Sequence, residues 1–399
     1  MIRYRAAWVV PIGRPTIRDG WVAVERGRIV ALGTGAGDRD LGPVVVMPGL
    51  VNAHTHLELS HLRNQVPASS DFVSWIRGVV AHQRQRHPSA PDIVQGIERG
   101  IAEAVASGTA VVGDISNTLV CVDPLTRSPL AAVVFNELIR FKAPDPEAVV
   151  DEALIAIRAC SSTDLVRPSL AAHAPYSVAP GVFRALRRAM DEDRVGPCAV
   201  HLSESAAEVE FIRTGRGPWR AFLEEVGSWD PSWAAPAVSP VEYLDGLGLF
   251  DARVLAVHGV QMTPVDLERL AARGTTLVTC PRSNVHTGAG APPIDRFYAS
   301  GVRVAVGTDS LASTPDLNLF AEIAAMRRLA PGVPAASLLD SATRQGARAL
   351  GFESEFGTIE PGKRARLLAV SVPPGVDDVE EYLVSGIQPE QVRWIDRRC

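Results

Sequence analysis

Along the chain, short apolar, β-branched runs alternate with longer stretches whose apolar residues recur every three or four positions. The runs fall at 44–53, 109–114, 130–137, 166–172, 197–202, 253–258, 275–280 and 302–308. Each has strand length and little internal polarity, the mark of a strand covered on both faces. Helical periodicity fills the gaps, most clearly over Asp92–Ala106, Pro146–Cys160, Pro180–Met190, Thr263–Arg273, Leu317–Leu329 and Ala335–Leu350. Thr263-Pro264 offers a start signal, a capping side chain followed by a proline at the first helical position. Eight buried strands alternating with helices over some 300 residues predict an α/β fold, a (β/α)8 barrel. No glycine-rich phosphate motif follows any strand, which argues against an open nucleotide-binding sheet.

The flanks read differently. Residues 1–43 hold short strand-like runs broken by Asp19-Gly20 and Arg26-Gly27, and the idiom returns at Gly357–Val370. Neither end buries a core alone, so we expect them to pair into one small β-sandwich domain (1–48 with 355–399) around a catalytic barrel domain (49–354). The stretches 57–90 and 205–250 read as long loops on the carboxyl face, where barrels shape their pockets.

Composition narrows the function. A net charge of −5 over 399 residues gives no electrostatic footprint for nucleic acid, and no apolar run is long enough for a membrane span. The five cysteines (121, 160, 198, 280 and 399) are scattered and never form a C-x-x-C pair. Buried free thiols in a reducing cytoplasm are the expectation. The partner expected is therefore a small molecule.

Chemistry gathers at the strand ends. Of nine histidines, His54 and His56 close the first strand, His173 the fourth, His201 the fifth and His258 the sixth, while Asp309 closes the eighth. Catalytic groups of a barrel come from the carboxyl ends of different strands. Residues two apart on a strand point the same way, so His54 and His56 present two imidazoles together. With His201 and Asp309 they make a donor set suited to one divalent metal, zinc above all, with room for a water. A metal so held lowers the water's pKa toward 7 and makes hydroxide available. Glu204, three residues past His201, is the candidate proton shuttle. His258 is placed to orient the hydroxide or polarise the reacting group, and Asp309 joins the catalytic set as a ligand. On the substrate side stand His173, Trp75 (a cover over the substrate) and Arg140 (a partner for a sugar hydroxyl or carboxylate). The only lysines, Lys142 and Lys363, are not at strand ends, so a carboxylated lysine bridging two metals is not expected.

Taken together, Pro48–His56, His173-Ala174-Pro175-Tyr176, His201-Leu202-Ser203-Glu204 and Gly307-Thr308-Asp309-Ser310 resemble the amidohydrolase superfamily, in its cytosine deaminase-like and chlorohydrolase-like branch. The resemblance covers nearly the whole chain. It implies a mononuclear zinc (or iron) deaminase with His54, His56, His201 and Asp309 as ligands, Glu204 as shuttle and His258 beside the metal. His173-Ala174-Pro175-Tyr176 and Cys280-Pro281-Arg282-Ser283-Asn284 look like the subgroup acting on adenosine, S-adenosylhomocysteine, methylthioadenosine and aminodeoxyfutalosine. His56-Leu57-Glu58-Leu59-Ser60 looks most like the aminodeoxyfutalosine deaminases of menaquinone synthesis. Glu58 and Ser310, inside matching motifs, join the substrate-side candidates, with Arg282 and Asn284 beside them. Dimers are common in the family, so the resemblance also admits a homodimer. Ala365-Arg366-Leu367 departs from the family's Ala-Asp-Leu, away from the chemistry. Two alternatives stay open: hydrolysis of another C–N or C–Cl bond (guanine, cytosine, a triazine or a cyclic amide), and an inactive relative, against which the intact residue set speaks.

Overall fold

The computed structural model describes residues 1–83 and 87–395. Eight parallel strands follow one another around a barrel: β1 (Leu50–Thr55), β2 (Thr109–Ser116), β3 (Ala131–Leu138), β4 (Val166–Ala172), β5 (Cys198–Leu202), β6 (Val254–His258), β7 (Thr276–Thr279) and β8 (Arg303–Val306). Their inward positions, among them Val111, Phe135, Ala199, Leu255 and Ala305, form one buried cluster that continues into Leu350, Phe352 and Phe356. The expected barrel is the fold.

The seam between β8 and β1 closes by side chain as well as backbone. Asn52 donates through Nδ2 to Thr308 Oγ1 (2.7 Å) and accepts the Thr308 N–H at Oδ1 (3.1 Å), while the Asp309 N–H reaches the His54 carbonyl (3.0 Å). A Cβ on Gly307 would sit 2.7 Å from the Cβ of His54, so a side chain there would push the two strand ends apart. The seam thus places Asp309 against His54.

The run at 44–53, expected as one strand, is two. Val44–Pro48 pairs antiparallel with Leu367–Ser371, and only Leu50–Thr55 enters the barrel. The switch occurs at Gly49, whose N–H goes to the Arg366 carbonyl (2.8 Å) while the next N–H goes to Gly108 (2.9 Å). A Cβ at Gly49 would lie 2.6 Å from that of Ala110. Hydropathy is blind to this change of partner, because both halves are buried. Around Val44–Pro48 a five-stranded sheet faces a four-stranded one made from Ile2–Arg5, Gly20–Glu25, Arg28–Thr34 and Arg39–Asp40. Tyr4, Val22, Val46, Ile359 and Leu367 fill the space between them.

The two long segments expected as loops carry helices. Phe72–Gln83 follows β1, and Ala206–Thr214, Pro218–Glu225 and Pro240–Gly246 follow β5. The expected helix at Thr263 begins with a capping box between Thr263 and Asp266. Cys121, Cys160, Cys198 and Cys280 are free thiols, Cys160 only half-buried; Cys399 lies outside the described residues. Among the described residues, no helix is long and apolar enough to cross a membrane.

Candidate active site

The carboxyl ends of the strands gather their polar side chains at the floor of a cavity of about 450 Å³. Strand alternation aims most of them: Ala171 and Ala199 face the barrel interior, and two residues on, His173 and His201 face the cavity. His258, one position past the inward Val257, breaks that phase, while Asp309, four past the inward Ala305, keeps it. Both have left-handed backbone, φ 80° and 62°, a conformation uncommon outside glycine and found where a site demands it.

The four expected ligands converge. The rings of His54 and His56 lie 4.9 Å apart and those of His54 and His201 5.0 Å apart. Asp309 Oδ1 is 3.5 Å from His56 Nε2 and 3.8 Å from His54 Nε2. His54 Nε2 is buried and has no hydrogen-bond partner among the described residues. A neutral imidazole nitrogen left bare against a carboxylate and two other imidazoles suits a cation's donor set, so these residues fit a divalent metal. Outer contacts fix them: His201 Nδ1 donates to the His173 carbonyl (2.8 Å), leaving Nε2 for the centre, and Ser283 Oγ donates to Asp309 Oδ2 (2.5 Å). Burial, then the neighbouring imidazoles, hold His54 well below the ordinary range, and burial takes His56 down to about 3. Neutral imidazoles are the ligating form.

Glu204 is buried beside this group. Its Oε2 is 3.5 Å from His258 Nε2, and Asn284 Nδ2 donates both to Glu204 Oε1 (3.4 Å) and to His258 Nδ1 (2.9 Å). Burial first, then the charges of Asp309 and Glu208, push its carboxyl well above the usual range. A carboxyl that holds its proton there is equipped to give it to a bound ring.

The substrate-side expectations divide. His173, Trp75, Glu58 and Ser310 line the cavity. His173 Nδ1 is also bonded to Ser177 Oγ (2.5 Å), and the Ser310 N–H serves Asp309 Oδ1 (2.7 Å). Glu58 is fully engaged by the end of β2, accepting from Ser116 Oγ, the Asn117 N–H, and the N–H and hydroxyl of Thr118. Arg140 does not line this cavity. It is exposed, donates to the Ile139 carbonyl, and faces a second recess on the other side of Glu137. Arg282 is an internal tie, bonded to Glu322 and Asp316.

Two buried carboxylates escaped the sequence reading. Glu208 accepts the N–H groups of Ser203 (2.7 Å) and Glu204 (2.9 Å), holding Ser203 at φ 51°. Glu137, on β3, lies 3.6 Å from His201 Nδ1, and burial raises its carboxyl pKa. Strand phase was the available signal for Glu137, since Val133 and Phe135 point inward. The outer wall is apolar and helical: Phe72, Trp75, Ile76 and Val79 from one helix face Trp219, Phe222 and Leu223 from another.

Comparison with known proteins adds an independent line. The amidohydrolase family model matches residues 45–389. An aminodeoxyfutalosine deaminase of Deinococcus radiodurans is 34% identical over 328 residues, 78% of this chain and 75% of the relative. A 5-methylthioadenosine/S-adenosylhomocysteine deaminase of Moorella thermoacetica is 30% identical over 400 residues, covering 94% and 88%. An adenosine deaminase of Xanthomonas campestris, crystallised with bound zinc, superposes with a TM-score of 0.82 at 28% identity, covering 98% of this chain and 90% of that one.

Proposed function

The chain belongs to the amidohydrolase family, and from that premise we propose that it is a metal-dependent hydrolytic deaminase of an adenine nucleoside derivative. The convergence of His54, His56, His201 and Asp309 beside the buried Glu204 is the observation that carries this reading. Names of relatives support the substrate class: aminodeoxyfutalosine, methylthioadenosine, S-adenosylhomocysteine and adenosine are the candidates. A divalent metal, zinc before ferrous iron, would be held by those four side chains and would supply Lewis-acid activation of a water.

The rest is done by the chain's own groups. Water adds to C6 of the purine, and Glu204 delivers a proton to N1 as the ring loses its aromatic bond there. The carboxylate so formed takes one water proton and passes it to the 6-amino group, then takes the second as the C–N bond breaks, so that ammonia leaves, a 6-oxo ring remains and Glu204 is protonated again. His258, with its Nδ1 accepting from Asn284, turns an Nε2–H toward the reacting carbon and orients the oxygen. Burial of the floor keeps bulk water from competing for these protons.

The test is a panel of adenosine, 5′-methylthioadenosine, S-adenosylhomocysteine, aminodeoxyfutalosine, guanine and cytosine, followed by ammonia release and the shift from 6-amino to 6-oxo purine absorbance. Turnover of an adenine compound, reduced by about 10³-fold in Glu204→Gln, is the expected result. A zinc-loaded protein silent on every adenine compound contradicts the reading.

A further inference from the structure

The inference concerns Glu137 and rests on the deaminase reading above. Glu137 stands at the end of β3, in phase with the inward Val133 and Phe135, and its side chain is only 3% exposed. It lines the main cavity and the wall of the second recess. Asn117 Nδ2 donates to its Oε2 at 2.7 Å. Its Oε1 is buried and accepts no hydrogen bond from the described residues. The nearest ring N–H, that of His201 Nδ1, is 3.6 Å away and already given to the His173 carbonyl at 2.8 Å.

Glu58 makes the contrast. It lines the same cavity and has four donors on its two oxygens, all from Ser116, Asn117 and Thr118. Asn117 links the two carboxylates, giving its backbone N–H to Glu58 and its side-chain amide to Glu137. So the fold satisfies one carboxylate and leaves one oxygen of the other open. A buried carboxylate oxygen without a donor is costly, and no lysine or arginine among the described residues lines this cavity. A hydroxyl carried by the substrate can supply that donor.

An adenine nucleoside offers few donors. On the ring, the 6-amino group is the only one, and it is spent at the reacting carbon. The others are the sugar hydroxyls. Glu137 lies behind His201, on the Nδ1 side of a ring whose Nε2 faces the centre, a ring's breadth from the chemistry, where the sugar follows the purine. We propose that Glu137 is the residue that reads the sugar, accepting a hydroxyl of the ribose 2′,3′-diol, and that it makes the enzyme selective for ribonucleosides over their deoxy counterparts.

The experiment compares 5′-methylthioadenosine with its 2′,3′-dideoxy analogue on the zinc-loaded full chain, with and without Glu137→Gln, zinc content being measured for both proteins. Calorimetric binding of the same two compounds to Glu204→Gln supplies a readout independent of turnover. We expect the unmodified enzyme to favour the ribonucleoside by roughly 30-fold in kcat/KM and in affinity, the loss typical of a hydrogen bond to a charged group. Glu137→Gln should bring the two compounds within roughly 3-fold of each other at unchanged zinc content. Equal handling of both compounds by the unmodified enzyme overturns the proposal, and needs no variant to fold. An equal loss on both in Glu137→Gln overturns it as well, because Glu137 would then act through His201. Turnover without ribose preference removes this inference and leaves the deaminase reading. Ribose-selective binding without turnover does the reverse, and where 5′-methylthioadenosine does not bind, the same comparison on the adenine nucleoside that the panel shows to be turned over decides the inference in the same way.

Discussion

The floor and the outer wall of the cavity are built on opposite plans. On the floor, His54, His56, His173, His201, His258, Glu204 and Asp309 come from strand ends, and backbone geometry fixes them before any ligand arrives. His201 is tied to the His173 carbonyl, Asp309 to Ser283 and the Ser310 N–H, and Glu204 to Asn284. The wall comes from the segments inserted after β1 and β5. Its two helices meet through side chains, among them the Phe72–Trp219 ring contact (6.1 Å), Arg77 over the Phe222 ring (5.5 Å) and the exposed Arg77–Glu225 ion pair (3.0 Å). In the proposed function, chemistry belongs to the strand ends, and substrate size to a wall that can vary without disturbing them.

This contrast breaks most visibly at the floor. Asp309→Asn keeps the volume and an oxygen for the Ser310 N–H but removes the charge facing His54 and His56. Zinc stoichiometry should fall, with a loss of at least about 10³-fold in kcat/KM. Full zinc binding and near-normal kcat in this variant would mean that the centre lies elsewhere.

A second test falls beneath the floor. Asp114 is fully buried on β2, and its Oδ1 accepts the Leu57 N–H (2.7 Å), which pins the turn that leaves His56. Burial pushes its carboxyl up to about 7 from 3.8. Since the folded value lies above the unfolded one, the folded state holds the proton more tightly. The stabilisation is complete below about pH 4 and is lost as the pH rises through 7. At about 1.4 kcal/mol per pH unit, this group should cost the protein about 3 kcal/mol between pH 5 and pH 8. Asp114→Asn keeps an acceptor for Leu57 and should flatten that fall, read as the difference in melting temperature between the two pH values. A fall of the same size in the variant would show that Asp114 does not titrate.

The wall gives the smallest effect. Phe222→Ala removes a ring that lines the cavity with Ile76 and Val79 and packs against Trp219 and Arg77. A rise of about 10-fold in KM for a 5′-substituted nucleoside, from about 1.5 kcal/mol of lost apolar contact, should come with kcat within about 2-fold. A kcat effect as large as the KM effect would erase the division between wall and floor.

The sequence made the floor legible because a metal site needs rare residues at fixed places. Histidines at four strand ends, with an aspartate closing a fifth, are visible without coordinates. Asn52 carries the barrel seam, yet nothing in Val51-Asn52-Ala53 marks it, since its partner Thr308 is 256 residues away. His258 reaches the cavity only through a positive φ, which alternation cannot foresee. The strand break at Gly49 was hidden because burial on either side is complete. Glu137 was within reach, two positions beyond an inward phenylalanine, but a lone glutamate at a strand end carries no motif. Of the wall helices, Pro218–Glu225 was hidden by its brevity, eight residues in a segment rich in tryptophan, glycine and proline. Local pattern locates groups that one strand places, and it loses those that two distant segments place together.

The central claim is that this floor adds water to a purine carbon and expels ammonia. Its most direct test is turnover of an adenine nucleoside by the zinc-loaded protein in 18O-labelled water, with the product read by mass spectrometry beside an ammonia assay. The account requires one labelled oxygen in place of the 6-amino group and one ammonia per product. A product without label, or with the glycosidic bond cleaved and the 6-amino group intact, would contradict it.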